Sequence, residues 1–390
     1  MNCRIAEGMV NRYIDHTLPL NDLEDFLEHI EKCSSCYDEL ATYFIVHKAM
    51  QQLDEKTGKI LFWILRSFWK RISENPKRYI RKKKFQQSDR CSGSLRSDRS
   101  TGGLSCFCDP GTEGGNLILS EKILLIDGHS ILNRAFYGLP DLTNSEGKHT
   151  GAVYGFLNIL FRTIEEEKPQ YLTVAFDLKA PTFRHKMFEA YKGTRKPMPE
   201  ELREQVPLIK EMLTAMGVNV VTKEGYEADD ILGTLARKSE AAGMDATILS
   251  GDRDLLQLAT DKVMIRLPKT VRGKTTIEDY HAQQVIEKYQ VTPPQIIELK
   301  ALMGDSADNI PGIPGVGEKT ATKIIVEYGS IENAHEHLEE LKPNRARESM
   351  REHYDMAQMS KALATICTDS PIEFSYEKAK LGNLYTKRSF

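Results

Sequence analysis

The chain has 390 residues, a formal charge of −3 and 28% charged residues. That length holds more than one domain and a sizeable core, and so balanced a total excludes binding by bulk charge alone. The longest apolar run, Ile60 to Trp69, is broken by Arg66 and far short of the roughly 20 residues of a membrane span, and no secretory pattern opens the chain. A cytoplasmic protein is expected.

Residues 1–56 read as a small helical unit. Asn21-Asp22-Leu23-Glu24-Asp25 is a capped helix start, and Phe26, Ile30 and Leu40 supply the apolar stripe. His29 and Cys33 are four apart and share a helix face, Cys36 follows three later, and Cys3 on a preceding helix can complete a tetrahedral Zn2+ site. A reduced metal-free hairpin and a redox pair made by Cys3 remain alternatives. All seven cysteines except Cys367 lie within the first 108 residues, which excludes a disulfide framework for the larger part of the chain.

Residues 57–84 continue as a basic amphipathic helix with Leu61, Trp63, Leu65 and Phe68, ending in the run Arg81-Lys82-Lys83-Lys84. It suits a membrane surface, a nucleic acid or simple packing on the preceding unit. Residues 85–120 lose all periodicity and fill with Ser, Gly, Arg and Asp, a composition that cannot offset ordering entropy, and read as a disordered linker.

From residue 121 the texture changes. Lys122 to Asp127, Tyr171 to Asp177 and Asp245 to Asp252 are apolar runs ending in an acid, and helical patterns at 151–166 and 199–216 lie between them. Such alternation predicts an α/β fold with a parallel sheet covered by helices, which binds ligands outside the carboxyl ends of its strands. Asp127, Asp177, Glu227, Asp229, Asp230, Asp252 and Asp254 all map to that edge, and Asp305 and Asp308 add a pair three apart. Taken singly, Glu227 to Asp230 and Asp252 to Asp254 serve equally as helix caps. Together they repel one another unless a cation intervenes, and all-oxygen donors select Mg2+ or Mn2+. Two such ions about 4 Å apart suit phosphodiester hydrolysis.

Taken in order, Ile126-Asp127-Gly128-His129, Phe176-Asp177, Phe183-Arg184-His185, Tyr191 to Arg195, Gly225 to Asp230, Gly251 to Asp254 and Gly304 to Asn309 resemble the flap endonuclease family. The likeness is to its 5'-nuclease branch, the 5'-3' exonuclease domains of bacterial DNA polymerase I, and runs from about Lys122 to the C-terminus. It implies a PIN-like catalytic domain at 121–290 and, at 291–390, a helical DNA-binding subdomain of helix-hairpin-helix type. It further implies one ion held by Asp127, Asp177, Glu227, Asp229 and Asp230 and another by Asp252, Asp254, Asp305 and Asp308.

In that family the segment Lys179 to Glu201 arches over the cleft. The resemblance then implies that Lys192 and Arg195 meet the scissile phosphate, that Arg184 is a second phosphate contact, and that Tyr191 stacks on a terminal base. Gly312, Gly315, Gly317, Lys319 and Thr320 would grip duplex backbone, with a K+ ion held by carbonyls of the hairpin.

The implied activity is metal-dependent 5'-3' exonuclease and flap endonuclease cleavage of DNA with 5' ends or flaps, by a monomer, in primer removal and repair. The N-terminal pattern resembles the anti-sigma-factor type of zinc domain, which implies a sigma factor as partner. A non-catalytic DNA-binding or anti-sigma regulatory protein is the alternative, and an RNase of the wider PIN class is a second. No stretch of the sequence could house a polymerase domain, so a stand-alone nuclease or a piece of a longer protein is expected.

Overall fold

The computed structural model describes residues 2–14, 19–33, 36, 120–139, 142–143, 147–271 and 274–382. Leu40, the basic segment 57–84 and the linker, apart from Ser120, lie outside the described residues.

At the N-terminus, helices α1 (Cys3–Ile14) and α2 (Leu20–Lys32) enclose a small core of Ala6, Val10, Phe26, Ile30 and Cys36. The expected capped start at Asn21 is displaced: α2 begins at Leu20, behind an extended Pro19 that makes no side-chain cap. Cys33 is the C-cap residue, and its amide donates to the His29 carbonyl at 2.9 Å.

The remainder is built on one six-stranded sheet. Strands β1 (Lys122–Asp127), β2 (Tyr171–Ala175), β3 (Asn219–Val221), β4 (Asp245–Leu249), β5 (Val263–Val271) and β6 (Lys274–Tyr280) run in the order β3-β2-β1-β4-β5-β6. All neighbours are parallel except the β5–β6 hairpin. Ile123, Leu124, Leu125 and Ile126 are fully buried, as a strand covered on both faces requires. The hairpin was not foreseen, because its charged residues hide an edge pair whose Arg266 reaches Asp279 at 2.8 Å.

Helix Gly151–Glu167 meets the sequence expectation, whereas Gly128–Gly138, directly after β1, was not foreseen. The 199–216 helix divides into Glu200–Arg203 and Gln205–Ala215. Pro207 has no amide hydrogen and is tolerated only in a first turn, so the helix restarts just before it. The expected helix after Asp252 is a short 3-10 turn, Asp254–Leu258.

Helices Gln295–Met303, Glu318–Tyr328, Ile331–Glu336 and Asn344–Ala364 form the C-terminal half. Their Leu299, Leu302, Ile324, Ile331 and Met350 belong to the same apolar cluster as Ile123, Leu125 and Ile248 of the sheet. One core therefore runs through both halves. Among the described residues no helix is long and apolar enough to cross a membrane.

Candidate active site

The strand order reverses at β1, which lies between β2 and β4. Crevices at such a switch point, outside the strand carboxyl ends, are where open parallel sheets bind ligands. Here a cleft of about 310 Å³ is lined by Asp127, Asp177, Glu227, Asp229 and Asp252, together with His129, Ser130, Asn133, Lys192 and Arg195.

Asp127 ends β1 and caps the following helix, accepting from the Ser130 amide at 3.0 Å and from Ser250 Oγ at 2.8 Å. Gly128 is obligatory beside it, since a Cβ there would lie 2.5 Å from the Phe176 ring. Asp177 accepts from the Ala228 amide at 2.7 Å and faces His129 Nδ1 at 3.4 Å. Burial works to raise its carboxyl, but His129 and the Ala228 amide prevail and hold it below the ordinary value. Asp252 accepts from the Asp254 amide at 2.9 Å, while its own amide donates to Ser250 Oγ at 3.1 Å. Ser130 and Ser250 thus tie the loop after β4 to the end of β1, and neither was singled out from sequence.

Asp229 is the most exposed to conflict. Its Oδ1 is the one buried side-chain nitrogen or oxygen among the described residues without a hydrogen-bond partner. Burial first, then Asp127, Asp252 and Asp177, push its carboxyl well above the ordinary value. An unpartnered buried oxygen among like charges, within an all-oxygen donor set, fits a hard divalent cation. Asp127, Asp177, Glu227, Asp229 and Asp252 are the residues able to hold one.

At the cleft, three expectations need correction. Asp230 does not face the cleft: it is fully buried, with Oδ1 and Oδ2 each 2.8 Å from Arg184 and further bonds from the amides of Glu227 and Cys367. Every lone-pair direction is taken, which leaves nothing for a metal. Arg184, 3% exposed, spends its remaining donors on the carbonyls of Leu363 at 2.9 Å and Thr365 at 2.7 Å, so it cannot meet a phosphate. Tyr191 is buried as well, its hydroxyl between Glu227 at 3.1 Å and Asp308 at 3.2 Å, and offers no face to a base. Burial, then Glu227 and Asp308, raise that phenol, which stays protonated and donating.

Lys192 and Arg195 do reach the cleft. Lys192, at φ 54, places Nζ 2.9 Å from Glu227 Oε1, and its amide donates to the Asp308 carbonyl at 2.8 Å. Arg195 pairs with Asp308 and donates to the Ala307 carbonyl at 3.3 Å.

Asp254, Asp305 and Asp308 stand apart from the cleft lining. Lys300 bridges the first two, 2.7 Å from Asp254 Oδ1 and in contact with Asp305. Sequence reading missed it, although a lone cation in the apolar run Leu299 to Met303 was a signal.

Burial and Asp177 push Asp127 up to about 6, and burial and Asp252 push Asp254 up to about 6. Such acids hold protons more readily folded than unfolded. Their contribution to stability is present below their ordinary 3.8 and lost as pH rises through about 6. Asp177 and Asp305, held low, act only below that window. Without divalent ions the melting midpoint is therefore expected to fall between about pH 4 and pH 7, and Mg2+ to restore it at pH 7. A flat profile in calorimetry would contradict this.

In the C-terminal half, Gly312 is buried at φ 62, and a Cβ there would sit 2.2 Å from the Gly304 nitrogen. It shapes the hairpin and presents nothing to a ligand, contrary to expectation. Gly315, Gly317 and Lys319 are exposed, Thr320 partly so, and Gly317 caps the Glu318–Tyr328 helix. Arg345, absent from the sequence reading, overhangs Gly315 at 3.0 Å from where a Cβ would be. At the N-terminus, the ligand atoms of Cys3, His29, Cys33 and Cys36 all lie within 4.8 Å of one another. Burial, then Cys3 and Cys33, push the Cys36 thiol up to about 12.

A switch-point cleft walled by carboxylates and two cations defines an α/β protein built for metal-dependent work on an anion. Residues 122–290 match the model for the 5'-3' exonuclease N-terminal resolvase-like domain, and residues 291–387 that for the 5'-3' exonuclease C-terminal SAM fold. The chain belongs, over residues 122–387, to the 5'-3' exonuclease family.

DNA polymerase I of Bacillus subtilis (strain 168) is 50% identical over 255 residues, covering 65% of this chain and 29% of that protein. DNA polymerase I of Bacillus caldotenax is 48% identical over 259 residues, covering 66% and 29%. The chain thus spans less than a third of these relatives. Among solved structures, T5 5'-exonuclease with bound zinc ions superposes with a TM-score of 0.53 at 24% identity, over 64% of this chain and 90% of that one, a likeness of fold.

Proposed function

We propose that residues 122–387 form a structure-selective 5'-3' exonuclease and flap endonuclease that hydrolyses DNA with two Mg2+ or Mn2+ ions, as in primer removal and repair. The observation that carries this is Asp229 Oδ1, buried and unpartnered among Asp127, Asp177 and Asp252. One ion position falls to Asp127, Asp177, Glu227 and Asp229, and a second to Asp252 with Asp254 and Asp305 behind it.

When bound, the ions supply an activated water and stabilise the leaving oxygen. Glu227 holds Lys192 at the cleft, where the ammonium meets charge developing on the scissile phosphate. Arg195 does the same from the rim while Asp308 fixes its plane. Exposed Gly315, Gly317 and Lys319 offer amides and charge to duplex backbone, which makes binding salt-dependent and nearly blind to sequence. K+ at that hairpin belongs to the same reading. The decisive assay uses a 5'-labelled flap with Mg2+ and with EDTA: small products only with metal support it, and retention without cleavage does not.

Lys192→Ala is expected to slow single-turnover cleavage on the order of 10²-fold or more while DNA affinity changes little. An unchanged rate would remove Lys192 from the chemistry.

For the N-terminal unit we propose Zn2+ bound by Cys3, His29, Cys33 and Cys36, a convergent donor set of the right chemistry. Cys33→Ser is expected to lower zinc content to near zero by elemental analysis, and equal content in the two proteins would remove the site. A sigma factor partner, a monomeric state and a cytoplasmic location complete the proposal.

A further inference from the structure

The acids lining the cleft and those standing beside it are neutralised unevenly. Asp229 faces its neighbours with Oδ1 unpartnered, whereas Asp254 and Asp305 are clamped by an ammonium already present in the chain. Lys300 projects from the Gln295–Met303 helix with its side chain 15% exposed, against 15% for Asp254 and 16% for Asp305. The Asp305 carboxylate is also fixed by the Ala307 amide at 2.8 Å. Asp252, one step nearer the cleft, is joined to this group through the Asp254 amide at 2.9 Å. Two elements from opposite halves of the chain thus deliver acids to one point, and a lysine occupies it.

A lysine ammonium is a compact point charge with rotatable donors, electrostatically a monovalent substitute for a metal ion at carboxylate oxygens. We propose that Lys300 is a resident counter-cation for Asp254 and Asp305: it holds both in register without a divalent ion and competes with the second ion for their oxygens. The second ion then binds more weakly than the first, because it must displace or crowd a positive charge. Lys300 is a positioning residue in this account, acting on the reaction through the acids. The inference rests on the two-ion reading above and adds to it the group that sets the second affinity.

The test is a Mn2+ titration of the full chain carrying one equivalent of zinc, without DNA, followed by the paramagnetic signal of free Mn2+. Wild type is expected to bind in a tighter and a weaker step. Lys300→Met, which keeps length but removes charge, should tighten the weaker step by about tenfold or more and leave the tighter one unchanged. A merely structural lysine would lower the melting midpoint without tightening that step.

An unchanged or weakened second step in folded Lys300→Met overturns the proposal while leaving the two-ion reading intact; a wild type that binds only one Mn2+ and cuts no flap overturns the reading itself. If the variant does not fold, amine acetylation of wild type read by mass spectrometry decides. Saturating Mn2+ should raise labelling of Lys300 several-fold over the metal-free protein, and equal labelling sinks the idea.

Discussion

Asp229→Asn is expected to abolish cleavage and, in the same molecule, to raise the stability of the metal-free protein. The carboxylate contributes an unpartnered buried oxygen and sits within the field of Asp127, Asp252 and Asp177. Removing an ionisable group that the fold disfavours relieves that repulsion, worth about 1 kcal/mol and roughly 1–2 °C in melting midpoint for a chain of this size. The amide is a poor ligand for a hard cation, so turnover should fall on the order of 10³-fold, about 4 kcal/mol of transition-state stabilisation. Addition of Mg2+ should then raise the melting midpoint of wild type but hardly that of the variant. A variant that cuts flaps at near wild-type rate, or melts lower than wild type in EDTA, would contradict this reading.

Arg184→Ala is expected to act in the opposite sense, on the fold first. It strands Asp230, fully buried, with a charge whose two 2.8 Å partners are gone, and frees the carbonyls of Leu363 and Thr365. Removing one member of a buried pair costs about 3–5 kcal/mol. Urea unfolding should show that loss as a lower midpoint at unchanged slope. The double replacement Arg184→Met with Asp230→Leu should recover part of it, because apolar groups of similar volume need no countercharge. If Arg184→Ala keeps wild-type stability but loses DNA affinity, the guanidinium is a phosphate contact after all.

Much of this was legible in the sequence. Continuous apolar runs ending at Asp127 and just before Asp177 and Asp252 announce strands buried on both faces, and parallel strands put their ends on one edge. Spacing cannot say which of two adjacent acids turns inward. Asp229 and Asp230 occupy consecutive positions of one helical turn, about 100° apart, and only the tertiary placement of Arg184 selects Asp230 for the interior. Tyr191 misled for a like reason: in a Lys- and Arg-rich segment it looked exposed, but its hydroxyl is what Glu227 and Asp308 share. The Cys3, His29, Cys33 and Cys36 grouping was readable from close sequence spacing of three of its members, although Cys33 ends the helix as its C-cap rather than sharing a helical face, with Cys3 brought in by the packing of Ala6 and Val10 on Phe26 and Ile30.

The segment 183–195, which carries Arg184 and Lys192, has a further consequence. Its guanidinium is anchored on carbonyls near residue 365, and its backbone on the carbonyl of Asp308, while the acids it orders stand on the 227–230 turn. The junction at 290 and 291, where one family model gives way to the next, is therefore no seam in the machinery. A truncation after 290 would discard the acceptors that keep Arg184 against Asp230. The two stretches share one core and one set of anchors, and so stand as a single structural unit.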